Sequence, residues 1–397
     1  MEPTERPLTL SAIPNWILAG LPLLLLLALV AGFLLLDPLA IFGSDGPPLE
    51  ELTVQRVVFP EPDRVELSVV NGGPETVTIA QVLVDEAYWP FTADPDNTLD
   101  RLERTTLTLA YPWVIAEPLE FVLITSTGAT FAREVEVAVE TPGFDIQTFT
   151  SYGLLGIYVG VIPVALGLLW YPFMRRIEKR WMNAALALTV GLLVFLFVDT
   201  SLEAVEIAEG LPEVFQGIPV VIFGTLFSLG VLLAIGSRSD GGGSAVRLAT
   251  LIALGIGLHN LGEGLAIGAA FATGATALGS FLVIGFTLHN VTEGVGIAAP
   301  LVRRQRPAYR VFLGLALLAG GPAILGTWIG GLAYSPLLAV IFLSLGAGAI
   351  LQVIWEVAKL LWHDARQRDQ SALTWLNLAS LAAGVLVMYL TAFLVKF

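Results

Sequence analysis

Cysteine is absent from this 397-residue chain, which excludes disulfides and thiolate metal sites and leaves the redox compartment unconstrained. Methionine is nearly absent, with four residues and none in the polar motifs, so a Cu(I) site of soft ligands is not expected. Charge is thin as well: 14% of residues are charged and 55% are hydrophobic, the composition of a polytopic membrane protein. The little charge there is has one sign in one place. Between Ala40 and Phe149 there are 5 basic and 19 acidic residues, which accounts for the whole net charge of −14. Nucleic acid is therefore not an expected partner, while cations are a natural one.

Histidine is scarce too, with three residues, but two of them occupy matching positions. His259-Asn260-Leu261-Gly262-Glu263-Gly264 recurs 30 residues later as His289-Asn290-Val291-Thr292-Glu293-Gly294, and the register extends from Gly255 to Ala270 against Gly285 to Pro300. In each copy His and Glu are four residues apart, about 40° around a helix and about 6 Å along it, so ring and carboxylate share a face. Both copies lie in apolar runs, where a carboxylate at the bilayer centre costs on the order of 2.5 to 3.5 kcal/mol unless it finds a partner. A divalent cation shared by two helices would neutralise both acids and use both rings. Hydrogen bonding of His to Glu as polar glue between helices is the plainer alternative.

In chain order, residues 1–16 form a polar arm and Ile17 to Leu36 is an uncharged run long enough to span a bilayer, expected as an anchor helix, with a cleaved signal peptide as the competing reading. Residues 37–48 are a Pro/Gly/Asp linker. The period then changes to that of strands: Leu52 to Phe59, Val65 to Val70, Val77 to Val84, Thr105 to Leu109, Phe121 to Ser126 and Phe131 to Val139, separated by turn signals such as Asn71-Gly72-Gly73-Pro74. Six or seven short strands over residues 49–142 suggest an immunoglobulin-like sandwich. It has no His or Cys, and its acidic surface reads more simply as solvated than as a cation trap.

From Tyr152 onward eight apolar helices are expected, at about 152–173, 183–208, 214–236, 247–272, 276–300, 310–332, 336–361 and 373–395. Arg175, Arg176, Lys179 and Arg180, then Arg238 and Arg247, then Arg303, Arg304, Arg306 and Arg310, then Arg366 and Arg368 fall in alternate loops. By the positive-inside rule those loops are cytoplasmic, as is the N-terminus, and the β domain and C-terminus are outside. The Gly241-Gly242-Gly243 loop lacks the Lys-Ser/Thr of a phosphate cradle and reads as a spacer. Further acids sit in apolar helices: Asp199 and Glu203, one turn apart, with Glu206, which could as well face water, on the second, and Glu356 on the seventh, one turn from Gln352. Strung along the crossing, they suit a conduit better than a single hydrolytic constellation.

The paired His-Asn-x-x-Glu-Gly motifs, on the fourth and fifth of eight helices, resemble those of the ZIP family of divalent-metal transporters. The likeness covers about residues 150–397, and Asp199-Thr-Ser-Leu-Glu203-Ala204 sits where that family often has His-Leu-Leu-Pro-Glu-Ala. Gly262 and Thr292 replace the proline that often precedes the motif's acid, and Gly320-Gly321-Pro322 replaces a Glu-Pro pair on the sixth helix. The resemblance implies no enzymatic activity and no resident cofactor. It implies import of a metal into the cytoplasm across the cell membrane, by rocking or sliding of the metal-carrying helices. His259, Glu263, His289 and Glu293 would be the metal ligands, with Asn260 and Asn290 as neutral neighbours and Asp199, Glu203 and Glu356 lining the way in or out. Two imidazoles and two carboxylates suit Zn²⁺ first, with Fe²⁺, Mn²⁺ and Cd²⁺ also compatible. Glu263→Gln is expected to cost far more than Asn260→Asp. A metal-gated receptor or sensor and an intramembrane zinc hydrolase remain open alternatives, as do a homodimer packed through Gly-rich helices and an unknown ligand for the β domain.

Overall fold

The computed structural model describes residues 15–36, 49–135, 137–237, 245–273, 276–303, 307–367 and 371–395. The residue 37–48 linker, most of the N-terminal arm, the Gly241-Gly242-Gly243 loop, and Arg238, Arg304, Arg306 and Arg368 lie outside them. Helix α1 (Asn15–Leu36) belongs to a unit of its own; its 22 residues carry no charge and at about 1.5 Å per residue reach about 33 Å. Leu49–Phe397 form the second compact unit.

That unit begins with nine strands: β1 (Leu52–Glu61), β2 (Arg64–Asn71), β3 (Val77–Val84), β4 (Ala87–Trp89), β5 (Phe91–Asp94), β6 (Thr98–Leu99), β7 (Arg104–Leu109), β8 (Leu119–Thr125) and β9 (Thr130–Val135). They make two antiparallel sheets, β1-β2-β7-β5 and β4-β3-β8-β9, with β6 paired to β3. Alternation along β2, β3, β7 and β8 turns Val65, Leu67, Ile79, Leu107, Leu109, Phe121 and Leu123 into one shared core. The three strands that pattern reading misses, β4 to β6, have two to four residues each, too few for a period to register. The last expected strand stops at Val135 rather than Val139. The turn after β2 is built by buried Asn71, whose Nδ2 donates to the carbonyls of Glu75 and Leu99 at 2.7 and 2.9 Å while its Oδ1 accepts from Gly73 N at 2.9 Å.

The remainder is helical: α2 (Ile146–Met174), α3 (Lys179–Glu209), α4 (Gly217–Ser237), α5 (Ala245–Ala272), α6 (Thr276–Ala298), α7 (Tyr309–Leu332), α8 (Pro336–Arg366) and α9 (Trp375–Val395). Among the described residues, seven helices are long and apolar enough to cross a membrane, namely α2 to α8. Helix α4 is mostly uncovered by the rest of the protein and exposes Ile222, Phe223 and Leu226, the reverse of a water-soluble helix. Helix α2 starts six residues before the expected Tyr152 because Asp145 caps it, accepting from Thr148 N at 2.7 Å, and its first turns are polar enough to hide from an apolar scan.

Two prolines mark the irregular places. Pro163 has no N–H for the carbonyl four residues back, and α2 passes through a π turn at Ile157–Val161 just before it. Pro322 follows a break in α7 after Gly320. Glycines then let helices touch backbone to backbone. Gly160 faces Gly320, Gly156 faces Ile324 and Gly153 faces Trp328, so α2 and α7 cross antiparallel. Gly326 of α7 abuts the Leu261 carbonyl of α5, and Gly264 abuts that of Ala323. In the same way Gly167 of α2 abuts the Val291 carbonyl of α6, and Gly294 that of Val164. The pair α2–α6 thus repeats the pair α7–α5 in opposite orientation. Gly191 of α3 on the Leu381 carbonyl of α9, and Gly348 of α8 on the Thr225 carbonyl of α4, extend the same inverted relation outward. These glycines serve contacts within the chain.

The β region lies over three interhelical loops and is fastened to one of them. Glu51 accepts a hydrogen bond from Glu213 N at 2.8 Å, Gly72 packs on Pro212, and cavities separate the sheet from Ala272, Thr273 and residues 333–336. These are the loops without Lys or Arg.

A Cβ at Gly326 has no room beside the Leu261 carbonyl, whereas Gly230 of α4 has open space around it. Thermal unfolding of detergent-purified protein, followed by tryptophan fluorescence, is expected to show Gly326→Ala destabilised by about 1–3 kcal/mol and Gly230→Ala unchanged or stabilised by up to about 1 kcal/mol. Equal effects would contradict the close α5–α7 packing.

Candidate metal centre

Helices α5 and α6 run unbroken through their motifs, with Gly262 and Thr292 where a proline would have kinked them. The repeat spacing puts His259 and Glu263 on one face of α5 and His289 and Glu293 on one face of α6, and the two faces meet. Glu263 Oε1 lies 2.9 Å from His259 Nε2 and 2.5 Å from His289 Nε2, so both rings point a nitrogen at a single oxygen. Among the described residues neither Nδ1 has a partner. One ligand atom each from His259, His289 and Glu293 lies within 4.8 Å of the others. Ligand atoms on a tetrahedral zinc with bonds of about 2.0–2.1 Å stand roughly 3.3 Å apart, so these groups are already gathered for it.

The cluster is sealed. His259, Asn260, Glu263, His289, Asn290 and Glu293 are each 4% exposed or less. Neither carboxylate oxygen of Glu293 has a hydrogen-bond partner among the described residues. The Asn260 amide is its neighbouring donor group, and a buried carboxylate so thinly supplied with donors is costly. Beside it a void of about 10 Å³, walled by His289, Thr292 and Glu293 with Leu192, Leu193 and Met388, has room for about one water.

The asparagines do something the spacing alone does not reveal. Asn290 Nδ2 donates to the Val159 carbonyl at 3.0 Å, the acceptor for which Pro163 has no N–H. Asn260 Nδ2 donates to the Ala319 carbonyl at 3.0 Å, beside the break before Pro322. Each motif is thereby tied to the irregular turn of its partner helix, and each Oδ1 remains buried without a partner among the described residues. Asn290 Nδ2 also approaches Glu263 Oε2 at 3.4 Å.

The outlying acids separate. Glu203, half-buried on α3, has Asp199, Glu206, Glu263 and His259 as its electrostatic neighbours, which joins it to the cluster. Asp199 lies in the electrostatic reach of His289 as well. Glu356 does not join. Gly346 of α8 packs on His259, and Glu356 lies ten residues further on, about 15 Å along the helix, held by Lys359 Nζ at 2.9 Å. Sequence reasoning noted Gln352 only as a neighbour of Glu356. It is fully buried with neither amide atom partnered among the described residues, and its Oε1 lies 3.1 Å from where a Cβ on Gly255 of α5 would be. The signal was an uncharged amide one turn from an acid in an apolar helix.

No family model matches the chain, and no curated protein matches it.

Because Asn260 Nδ2 is the donor to Ala319, Asn260→Asp removes a hydrogen bond as well as adding charge, and is not the mild change that its neutrality suggests. Asn260→Ala and Asn290→Ala are each expected to lower stability by about 1–3 kcal/mol, and Asn260→Asp by at least as much. Thermal unfolding of the metal-free proteins checks this, and unfolding temperatures equal to the wild type would remove the asparagine ties from the account.

Proposed function

We propose that this protein is a ZIP-like transporter that moves divalent transition-metal ions, zinc foremost, into the cytoplasm through the His259, Glu263, His289 and Glu293 site. The observation that carries the reading is the convergence of two rings and two carboxylates, nine-tenths buried or more, in the middle of an apolar bundle. A second feature supports it: the motif helices lie where two inverted halves of the bundle meet, the place where transporters built of inverted repeats hold substrate and alternate access. Zinc is favoured by the donor set, and Fe²⁺, Mn²⁺ and Cd²⁺ suit it too.

In chemical terms the site is a stripping station. Its acids replace the hydration of the ion and its rings select for transition metals over Ca²⁺ and Mg²⁺. Both Nε2 atoms aim at Glu263, so metal and protons compete for the same lone pairs, and binding is coupled to proton release. Asp199 and Glu203 lie on one side of the site, and Glu356, with Lys359 as its counter-ion, on the other. We place the β region outside, as an immunoglobulin-like sandwich, with α1 as an anchor; the loops it lies over are the three that lack basic residues. The sealed cluster corresponds to an occluded state.

A metal-gated receptor is the second reading, favoured by the Glu51 bond that links the β region to the loop between α3 and α4. An intramembrane hydrolase finds less support, since it needs an open water-bearing ligand position and room for a substrate, against a void of about 10 Å³.

Influx into proteoliposomes across Zn²⁺, Fe²⁺, Mn²⁺, Cd²⁺ and Mg²⁺ separates these readings. Saturable uptake of transition metals that Glu263→Gln reduces by at least about a hundredfold is the expected outcome, on the scale of roughly 3 kcal/mol for a lost charged ligand. Metal binding without influx would transfer the assignment to the receptor, and neither binding nor influx would reduce the twin motif to packing.

A further inference from the structure

The five arginines of the β region stand out in a segment that is otherwise acidic. Three of them gather at its underside: Arg56 and Arg104 line a cavity of about 350 Å³ between the sheet and the turn into α8, and Arg56 and Arg133 line an adjoining one of about 360 Å³. The first has the size of a small-molecule site, roughly 300 Å³ or more. Its wall is rich in donors: the Ser68 and Thr106 hydroxyls, the Gln55 amide, and Ser335 at the start of α8.

The backbone is bent to produce this wall. β1 pairs with β2 in register through Val54 and again from Arg56, and Gln55 between them is the bulged residue. Regular pleating would send neighbours 55 and 56 to opposite faces; the bulge puts both on the cavity. Gln55 Nε2 is buried and has no acceptor among the described residues. Among the described residues neither Arg56 nor Arg104 has an ion-pair partner, whereas Arg64 pairs with Glu61 and Glu66. Burial lowers the Arg56 guanidinium below its ordinary pKa, with Tyr152 acting the other way. Asp94 is the one carboxylate among the described residues of the first wall.

We propose that this cavity binds a phosphate-type oxyanion, held by the Arg56 and Arg104 guanidiniums and the Gln55 amide. Fork-shaped guanidinium donors match two oxygens of such a group at once, which an ammonium does not. Free phosphate and the headgroup of an anionic lipid offer the same chemistry, and the site faces loops at the end of the apolar bundle, where either could reach it. The assignment does not rest on the metal reading.

The test uses the full-length protein. It is delipidated in detergent and titrated with inorganic phosphate by calorimetry. In parallel it is reconstituted in phosphatidylcholine nanodiscs with and without phosphatidylglycerol, and retained lipid is counted by native mass spectrometry. Saturable phosphate binding would identify the free anion, and selective retention of phosphatidylglycerol the headgroup; either supports the site. In both arms the Arg56→Gln/Arg104→Gln double variant is expected to bind at least tenfold more weakly and Arg101→Gln, outside the cavity, like wild type. Arg56→Lys and Gln55→Leu, milder for folding, should each weaken binding several-fold and serve if the double variant does not fold. Absence of binding in both arms, or binding that these substitutions leave unchanged, would overturn the proposal.

Discussion

A backbone carbonyl inside an apolar bundle must find a donor within the protein, because no solvent is there to supply one, and leaving it without one costs several kcal/mol. Pro163 creates such a demand in α2, and the break before Pro322 opens a similar place in α7. The chain meets both with the side chains of Asn290 and Asn260, each adjacent to a histidine of the candidate centre. The histidines and acids of the candidate centre are thereby positioned by the same bonds that repair the helices. The bundle cannot straighten α2 or α7 without releasing the residues that hold the histidine faces in place, which makes fold and site a single construction.

Much of this was legible in the sequence, for definite reasons. A 30-residue repeat of His, Asn and Glu in an apolar chain marks two matching polar faces, and the helix period fixes which side chains share each face, so the meeting of His259, Glu263, His289 and Glu293 could be anticipated. Uncharged runs and β-branched alternation located the helices and the longer strands. What could not be read was whatever depends on two segments meeting. The roles of Asn260 and Asn290 need Ala319 and Val159 to be placed against them, and neither carbonyl has a signature in sequence. Glu203 and Glu356 look equivalent as acids in apolar helices, yet one neighbours the cluster and the other is held by Lys359 about two turns and more away. The inverted relation of α2–α6 to α7–α5 is carried by single prolines and glycines, residues common enough in such a chain to pass unnoticed until their contacts align.

Charge follows a division of labour. Acids inside the bundle are few and placed against rings, amides or a lysine. Acids outside cover the β region, three of whose five arginines gather at its underside. Glu51 works across this boundary: its carboxylate takes the Glu213 amide at the start of the turn that leads into α4 and lies against Gly72 of the sheet.

The seating of the β region has a mechanical corollary. Its underside spans the loops that join α3 to α4, α5 to α6 and α7 to α8, one from each inverted half and one from the central pair. Glu51 and Gly72 fasten it to the first of these loops, while cavities lie between it and the other two. Any motion of the α3–α4 loop away from the sheet must break that fastening. The energy of the Glu51 link and of the Gly72–Pro212 contact is then part of the barrier to opening at that end, while the opposite end of the bundle has no such brace among the described residues. The two faces of the bundle are therefore unequal in stiffness, although the helices that form them are related by an approximate twofold.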